Sequence, residues 1–90
     1  MANRAVWKFN LAPGRNLKSA PSGAQWLYAA AQFDDGVAYA LIDPDELRVE
    51  YTIWVVATGD DSLPVRPMRP LGLISLSGGS LMFHAFLELA

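Results

Sequence analysis

The side chains that could do chemistry in this sequence are one histidine, nine carboxylates and a few serines. The sole histidine, His84, lies between apolar neighbours near the C-terminus. A general base needs a nucleophile and an orienting carboxylate, and a zinc site needs three or four ligands. His84 is therefore interpreted as a structural residue. Ser75, Ser77 and Ser80 lack the glycine-flanked elbow of serine hydrolases, so the sequence predicts no catalytic residue and no enzyme.

The carboxylates fall in groups at expected turns rather than at the spacing of a metal site. These groups are Asp34-Asp35, Asp43-x-Asp45-Glu46 and Asp60-Asp61. A calcium loop that began at Asp43 would need glycine at its sixth position, where Arg48 stands. No glycine is followed by the lysine and helix of a phosphate-binding loop. With no cysteine in the chain, the sequence predicts neither a metal nor a cofactor.

The most distinctive local feature is a proline-rich segment within the non-periodic stretch 59–70. Its prolines recur at every third position from 64 to 70, which suits a left-handed polyproline helix and would place Arg66 and Arg69 on one face. Such a loop could bind an aromatic groove or an acidic partner. Alternatively, it could be a stiff connection that protects a sheet edge from pairing with another chain. The candidate partner-binding residues are these two arginines, Met68 and Trp54, where the polar face of a predicted strand becomes apolar.

The composition is that of one globular domain spanning residues 1–90. Apolar residues make up 52% of the chain and charged residues 18%, which is too apolar for a disordered chain. The net charge of −2 lacks the basic excess of most nucleic-acid-binding domains, although residues 1–20 are basic and residues 33–61 acidic. Nucleic acid is therefore not an expected partner. The absence of cysteine and of a long apolar run predicts a cytoplasmic protein without a membrane segment.

Alternation of apolar and polar residues is the main structural signal. It predicts strands at 5–11, 24–33, 37–42, 47–58, 71–76 and 81–89, with a loop or irregular edge at 15–23. Expected reversals lie at Asp35-Gly36, a typical type I′ dipeptide, at Asp43-Pro44, and at Gly78-Gly79. The alanine-rich segment 24–33 would make the domain α+β if it were helical, but its alternating aromatics favour a strand. We therefore expect an all-β fold of about six strands, an antiparallel meander forming a small barrel or sandwich.

Three of the predicted strands, at 24–33, 37–42 and 81–89, are apolar on both faces. A two-layer domain of this size covers one face of each sheet. The other apolar faces must therefore be covered by barrel curvature, by loops or by a second chain. We therefore expect a homodimer or a dedicated partner surface. The aromatic side chains on the strands could stack bases. Because the central strands are acidic, packing in the core is the favoured interpretation.

Short motifs over most of the chain resemble a family of small uncharacterised proteins of tailed bacteriophages, which are β-rich and of about this length. The motifs are Trp7-Lys8-Phe9, Pro21-x-Gly23-Ala24, Ala40-Leu41-Ile42-Asp43-Pro44, Val55-Val56-Ala57-Thr58-Gly59, Leu71-Gly72 and Phe83-His84-Ala85-Phe86. The resemblance implies a strand at 24–33 and an accessory protein that acts in the host cytoplasm on a host enzyme or defence component. It brings no catalytic residues. The proline-rich stretch 64–70 is more elaborate than the family pattern.

Two functions follow as hypotheses. The first is a non-enzymatic phage-type accessory protein that binds and modulates a host protein, working as a homodimer. The second is a small-ligand or nucleotide-binding β domain, in which a barrel interior or dimer cleft holds an anionic ligand. Its positive charge would come from Arg4, Lys8, Arg15, Arg66 and Arg69.

Overall fold

Residues 3–89 are described by a computed structural model, in which two thirds of these residues form β-strands. The strands are β1 (Ala5–Leu11), β2 (Gly14–Pro21), β3 (Gln25–Gln32), β4 (Asp35–Ile42), β5 (Arg48–Ala57), β6 (Met68–Leu76) and β7 (Leu81–Glu88). One turn of 3-10 helix, Ser77–Gly79, joins β6 to β7. The all-β class is confirmed, and so is the strand prediction for 24–33.

The strands form two antiparallel sheets, one in the order β1-β4-β3 and the other in the order β2-β5-β7-β6. The sheets pack face to face as a sandwich, and they do not close into a barrel. The predicted meander is wrong, because only β3–β4 and β6–β7 are hairpins of consecutive strands. The chain passes from one sheet to the other after β1, after β2 and after β4. The loop after β5 leads to β6 at the edge of the same sheet, and β7 then lies between β5 and β6.

The strand β2 adds a seventh strand to the expected six or so. The segment 15–23, predicted to be a loop or an irregular edge, contains a regular edge strand. It pairs with β5 along its whole length, from Gly14 opposite Val55 to Pro21 opposite Arg48. Its segment has few strand-forming residues, so pairing and burial hold it in place rather than propensity. The buried side chain of Asn16 accepts a bond from Ala12 N at 2.9 Å and donates to carbonyls of three residues, Ile53 among them. These bonds tie the β1–β2 turn to β5.

The proline-rich loop is shorter than predicted, because Met68, Arg69 and Pro70 belong to β6. A proline within a strand is compatible with the position of β6 at the edge of its sheet, where one side of the backbone has no ladder partner. A bulge directly follows, between Pro70 and Gly72. The non-strand segment therefore runs from Thr58 to Pro67.

The core lies between the two sheets and is built from the inward residues of alternating strands. Ile53, Ile74 and Ala85 are fully buried. Trp26 is 2% exposed and packs against Phe9 and Tyr51, at ring-centroid distances of 4.9 and 5.5 Å. Burial of this aromatic cluster contributes much of the hydrophobic stabilisation of a small domain.

The sandwich is closed along one side, where edge strands β3 and β6 lie against each other. A Cβ atom built on Gly72 would lie 2.9 Å from the carbonyl oxygen of Ala29, and the φ of Gly72 is 140°. Only glycine is compatible with this φ and with this close approach, since any other residue would be strained at this φ and its Cβ atom would clash with β3. Nearby, the Arg69 guanidinium donates to the carbonyl of Trp26. The opposite side of the sandwich is formed by the edge strands β1 and β2.

The β3–β4 hairpin exists as predicted, but its turn lies two residues earlier than Asp35-Gly36. Gln32 pairs with Asp35, so the turn residues are Phe33 and Asp34, with φ values of 50° and 63°. Asp35 and Gly36 belong to β4 instead. Gly36 is placed there by packing, since a Cβ atom on it would lie 3.2 Å from the side chain of Ile74. The Asp43 turn is confirmed: Asp43 O accepts from the N–H of Glu46 at 3.1 Å.

Candidate functional site

The four-stranded sheet carries a contiguous group of apolar and aromatic side chains on the face that points away from the core. Their chain neighbours, such as Val55 and Ala85, are buried between the sheets, so the alternation of a strand turns them outward. Trp54 pairs with Phe86, and His84 lies between Val56 on β5 and Leu73 on β6. We refer to this group as the Trp54 surface; its members are Trp54, Val56, Leu73, Met82, His84 and Phe86.

Exposure varies across this surface. Leu73 is 47% exposed, whereas Trp54 and Phe86 are half-buried. Val56 is almost fully buried although it points outward, because larger side chains surround it on this face. The surface is therefore tightly packed at its centre and open at Leu73.

A charged group borders the surface at the end of β7. Glu88 Oε1 accepts a hydrogen bond from the indole nitrogen of Trp54 at 3.0 Å and forms a salt bridge with Arg66 Nη1, also at 3.0 Å. Met68 is paired with Glu88 across β6 and β7, and Pro67 O accepts from the N–H of Leu89 at 2.9 Å. One carboxylate thus fixes the orientation of the tryptophan and the arginine of the loop.

The same contacts perturb the acidity of Glu88. The hydrogen bond from the Trp54 indole is the main cause that lowers the pKa of Glu88. Desolvation is the next largest effect and raises the pKa, while the hydrogen bond and charge of Arg66 lower it further. The carboxylate is therefore charged at neutral pH, as both contacts require.

Three of the four candidate residues predicted from sequence meet at this border, namely Trp54, Arg66 and Met68. Arg69 does not join them. It pairs with the inward residue Leu87 and reaches the β3 backbone on the other side of its sheet. The expectation that Arg66 and Arg69 share a face of a polyproline helix is therefore wrong, because β6 already begins at Met68 and strand alternation separates them.

His84 has a hydrogen-bond partner, Thr58, whose Oγ1 lies 2.7 Å from His84 Nε2. The carboxylates at turns accept backbone N–H groups, as expected for turn residues. Asp43 Oδ1 accepts from Asp45 N at 3.0 Å, and Asp60 Oδ1 accepts from Ser62 N at 2.9 Å. The hydrogen bonds from the hydroxyl and the backbone of Ser62 lower the pKa of Asp60. Among residues 3–89, no three metal-ligating side chains are grouped.

An open cleft of about 350 Å³ lies at the end of the sandwich next to Thr58. Its lining is mainly apolar and consists of Ala57, Thr58, Ser80, Leu81, Met82 and Phe83. None of the arginines or lysines named for an anionic ligand lies in that lining. Arg66 is instead bound to Glu88, Arg69 to the Trp26 carbonyl, and Lys8 Nζ donates to Gln32 Oε1 at 2.7 Å. Arg66, Arg69 and Lys8 thus lie in three different parts of the described structure.

The organising role of Glu88 was not predicted from the sequence. It is separated from Trp54 by 34 residues and from Arg66 by 22. The available signal was the alternation of the last strand, which places Glu88 on the same face as Met82, His84 and Phe86.

The fold and this surface define a small β-sandwich domain with an aromatic outer face. Residues 2–90 match the profile of the family described as a domain of unknown function, DUF7352, and the chain belongs to that family. No curated protein and no solved structure matches the chain. The family description assigns no activity. No helix among residues 3–89 is long and apolar enough to cross a membrane.

Proposed function

We propose that this protein is a non-enzymatic binding domain that recognises a protein partner through the Trp54 surface. The observation that carries the proposal is a contiguous apolar face with an ordered charged border. Protein interfaces commonly have an apolar centre and a polar rim, and tryptophan and arginine are the side chains most enriched at their energetic centres. Trp54 and Arg66 stand next to each other here, on either side of Glu88.

The contacts within the free protein also favour binding. Immobilising a long side chain on association costs about 0.5–1.5 kcal/mol. Glu88 already orients both Trp54 and Arg66, so part of this ordering precedes the encounter with a partner. Met68, which is half-buried beside them, adds an adaptable apolar contact.

The resemblance to small proteins of tailed bacteriophages supports a more specific version of the proposal. In that version the domain is an accessory protein in the host cytoplasm, and the partner is a host protein whose activity it modulates. A second copy of the chain is the other possible occupant, since a twofold axis through the Trp54 surface would bury the same patch on both subunits.

The experiment compares two substitutions at similarly exposed positions on opposite outer faces of the sandwich. Leu73→Arg places a charge in the Trp54 surface, and Tyr28→Arg places one on the outer face of the three-stranded sheet, where Tyr28 is 52% exposed. Tagged wild-type protein and both variants are used to capture proteins from a bacterial lysate, with quantitative mass spectrometry. Sedimentation velocity gives the oligomeric state of each.

We expect at least one protein to be captured by the wild type and by Tyr28→Arg but not by Leu73→Arg. Loss of a dimer in Leu73→Arg alone would show that a second copy occupies the surface. If all three forms are monomeric and capture the same proteins, the Trp54 surface has no binding role and the proposal fails.

A further inference from the structure

We infer that the free edge of β1 binds an extended acidic segment of a partner protein, which adds to the three-stranded sheet as a further strand. This inference goes beyond the function proposed above. It concerns the other sheet and a partner of different chemistry, and it does not depend on the Trp54 surface.

The four sheet edges of the sandwich are not equivalent. Edges β3 and β6 cover each other, as the close approach of Gly72 to Ala29 and the contact from Arg69 to Trp26 show. Edges β1 and β2 have no strand beyond them in the described structure. A free edge displays a row of N–H and C=O groups, which can pair with an extended segment of another chain.

The edge of β2 is blocked at one end. The Ser22 N–H donates to Leu47 O at 2.7 Å, so the alternation of an antiparallel pair turns the backbone groups of Ser19 and Pro21 towards the free side. Pro21 has no N–H to offer. The Ser19 carbonyl already accepts from Arg48 Nη2 at 2.6 Å. An added strand would therefore lose pairing along this half of β2.

The edge of β1 carries no such block. The strand has seven residues and no proline, and within the described residues no side chain is bonded to its backbone. A lysine often protects an edge strand. Lys8, however, extends across the sheet, where its amine donates to Gln32 of β3 at 2.7 Å, so it does not cover the edge.

The charges around this opening favour an acidic segment. Lys8 lies on the outer side of β1. Lys18 pairs with the inward residue Tyr51, so it points from β2 towards the three-stranded sheet. The Arg48 guanidinium stands 5.3 Å from the ring centre of Trp7 on β1. Among residues 3–89 none of these three cations makes a salt bridge. A second copy of β1 is a poor partner, because it would bring more lysine and no carboxylate.

The probe is a fluorescein-labelled octapeptide of alternating glutamate and valine, and its lysine–valine counterpart is the control peptide. Binding to the full chain is followed by fluorescence anisotropy, and the site is located by amide chemical shifts in NMR titrations. The test variant is Lys18→Glu. The matched control is Arg15→Glu, which changes the net charge by the same amount as Lys18→Glu. Arg15 pairs with Trp54 on the outer face of the other sheet.

We expect the acidic peptide to shift the β1 amides, and Lys18→Glu to raise its dissociation constant about fivefold or more. Arg15→Glu should change it by less than about twofold, because Arg15 pairs with the outward residue Trp54 and so points away from the three-stranded sheet. The inference is overturned if millimolar acidic peptide leaves the β1 amides unmoved, or if the lysine–valine peptide binds equally well. Equal binding of an eight-nucleotide oligothymidylate at the same residues also overturns it, because that result indicates attraction of any polyanion.

Discussion

Substitution of Gly72 by alanine tests the closed side of the sandwich. At a φ of 140°, a residue other than glycine is strained by about 1–3 kcal/mol. The new Cβ atom would also lie 2.9 Å from the Ala29 carbonyl oxygen, and both are backbone positions in packed strands. Overpacking of this kind costs about 1–3 kcal/mol more. We therefore expect Gly72→Ala to lower the free energy of unfolding by about 2–6 kcal/mol, a large share of the 5–13 kcal/mol or so that a domain of this size has.

Urea denaturation followed by circular dichroism measures this loss, and Gly59→Ala is the matched control. Gly59 also has a positive φ, 88°, but a Cβ atom built on it meets nothing within 4 Å. Gly59→Ala should therefore show only the conformational cost of about 1–2 kcal/mol. Equal losses in the two variants would refute the close contact between β3 and β6.

Three further predictions concern a turn, a buried amide and a titrating carboxylate. Phe33 is 93% exposed and has a φ of 50°, so Phe33→Asn should raise the free energy of unfolding by about 0.5–1 kcal/mol in urea denaturation; a loss would contradict the positive φ of this turn residue. Asn16→Ala should cost about 2–3 kcal/mol, because it removes four hydrogen bonds to the backbone, one of them buried at Ile53, while exposed Asn10→Ala should leave the denaturation midpoint unchanged. Because its folded pKa is depressed, Glu88 should stabilise the fold above its unfolded pKa of about 4.3 and lose this effect as pH falls through the lower folded value. The Trp54 indole N–H resonance should therefore shift as pH falls through the folded pKa of Glu88, and persistence of that shift in Glu88→Gln would assign it to another group.

The sequence predicted those parts of the fold that local alternation determines. Apolar and polar residues alternate in β1 with the burial that the structure shows, and inward Ile53 and Val55 of β5 are in the core. β2 could not be found in this way. Its strand conformation depends on Asn16 and on pairing with β5, and neither leaves a periodic signal in the residues themselves.

The turn of the β3–β4 hairpin and the candidate site show the same limit. Asp35-Gly36 is the preferred turn dipeptide, but register is set by which side chains are buried. Gly36 instead pairs with Leu11 and Ala31 and packs against Ile74, so the turn lies at Phe33 and Asp34. Trp54 was identifiable because it ends a polar face. Its link through Glu88 to Arg66 in the loop depends on contacts between residues far apart in the chain. No local sequence pattern indicates such contacts.

The most direct test of the proposed function is the dissociation constant of the captured partner for Trp54→Ala compared with wild type, with Tyr28→Ala as control. Loss of a central tryptophan typically costs 2 kcal/mol or more, so we expect the constant to rise by about 30-fold or more in Trp54→Ala. Tyr28→Ala should remain within about twofold of wild type, because Tyr28 lies on the other sheet. Equal affinities for the wild type and Trp54→Ala, with both proteins folded, would contradict a binding role for the Trp54 surface.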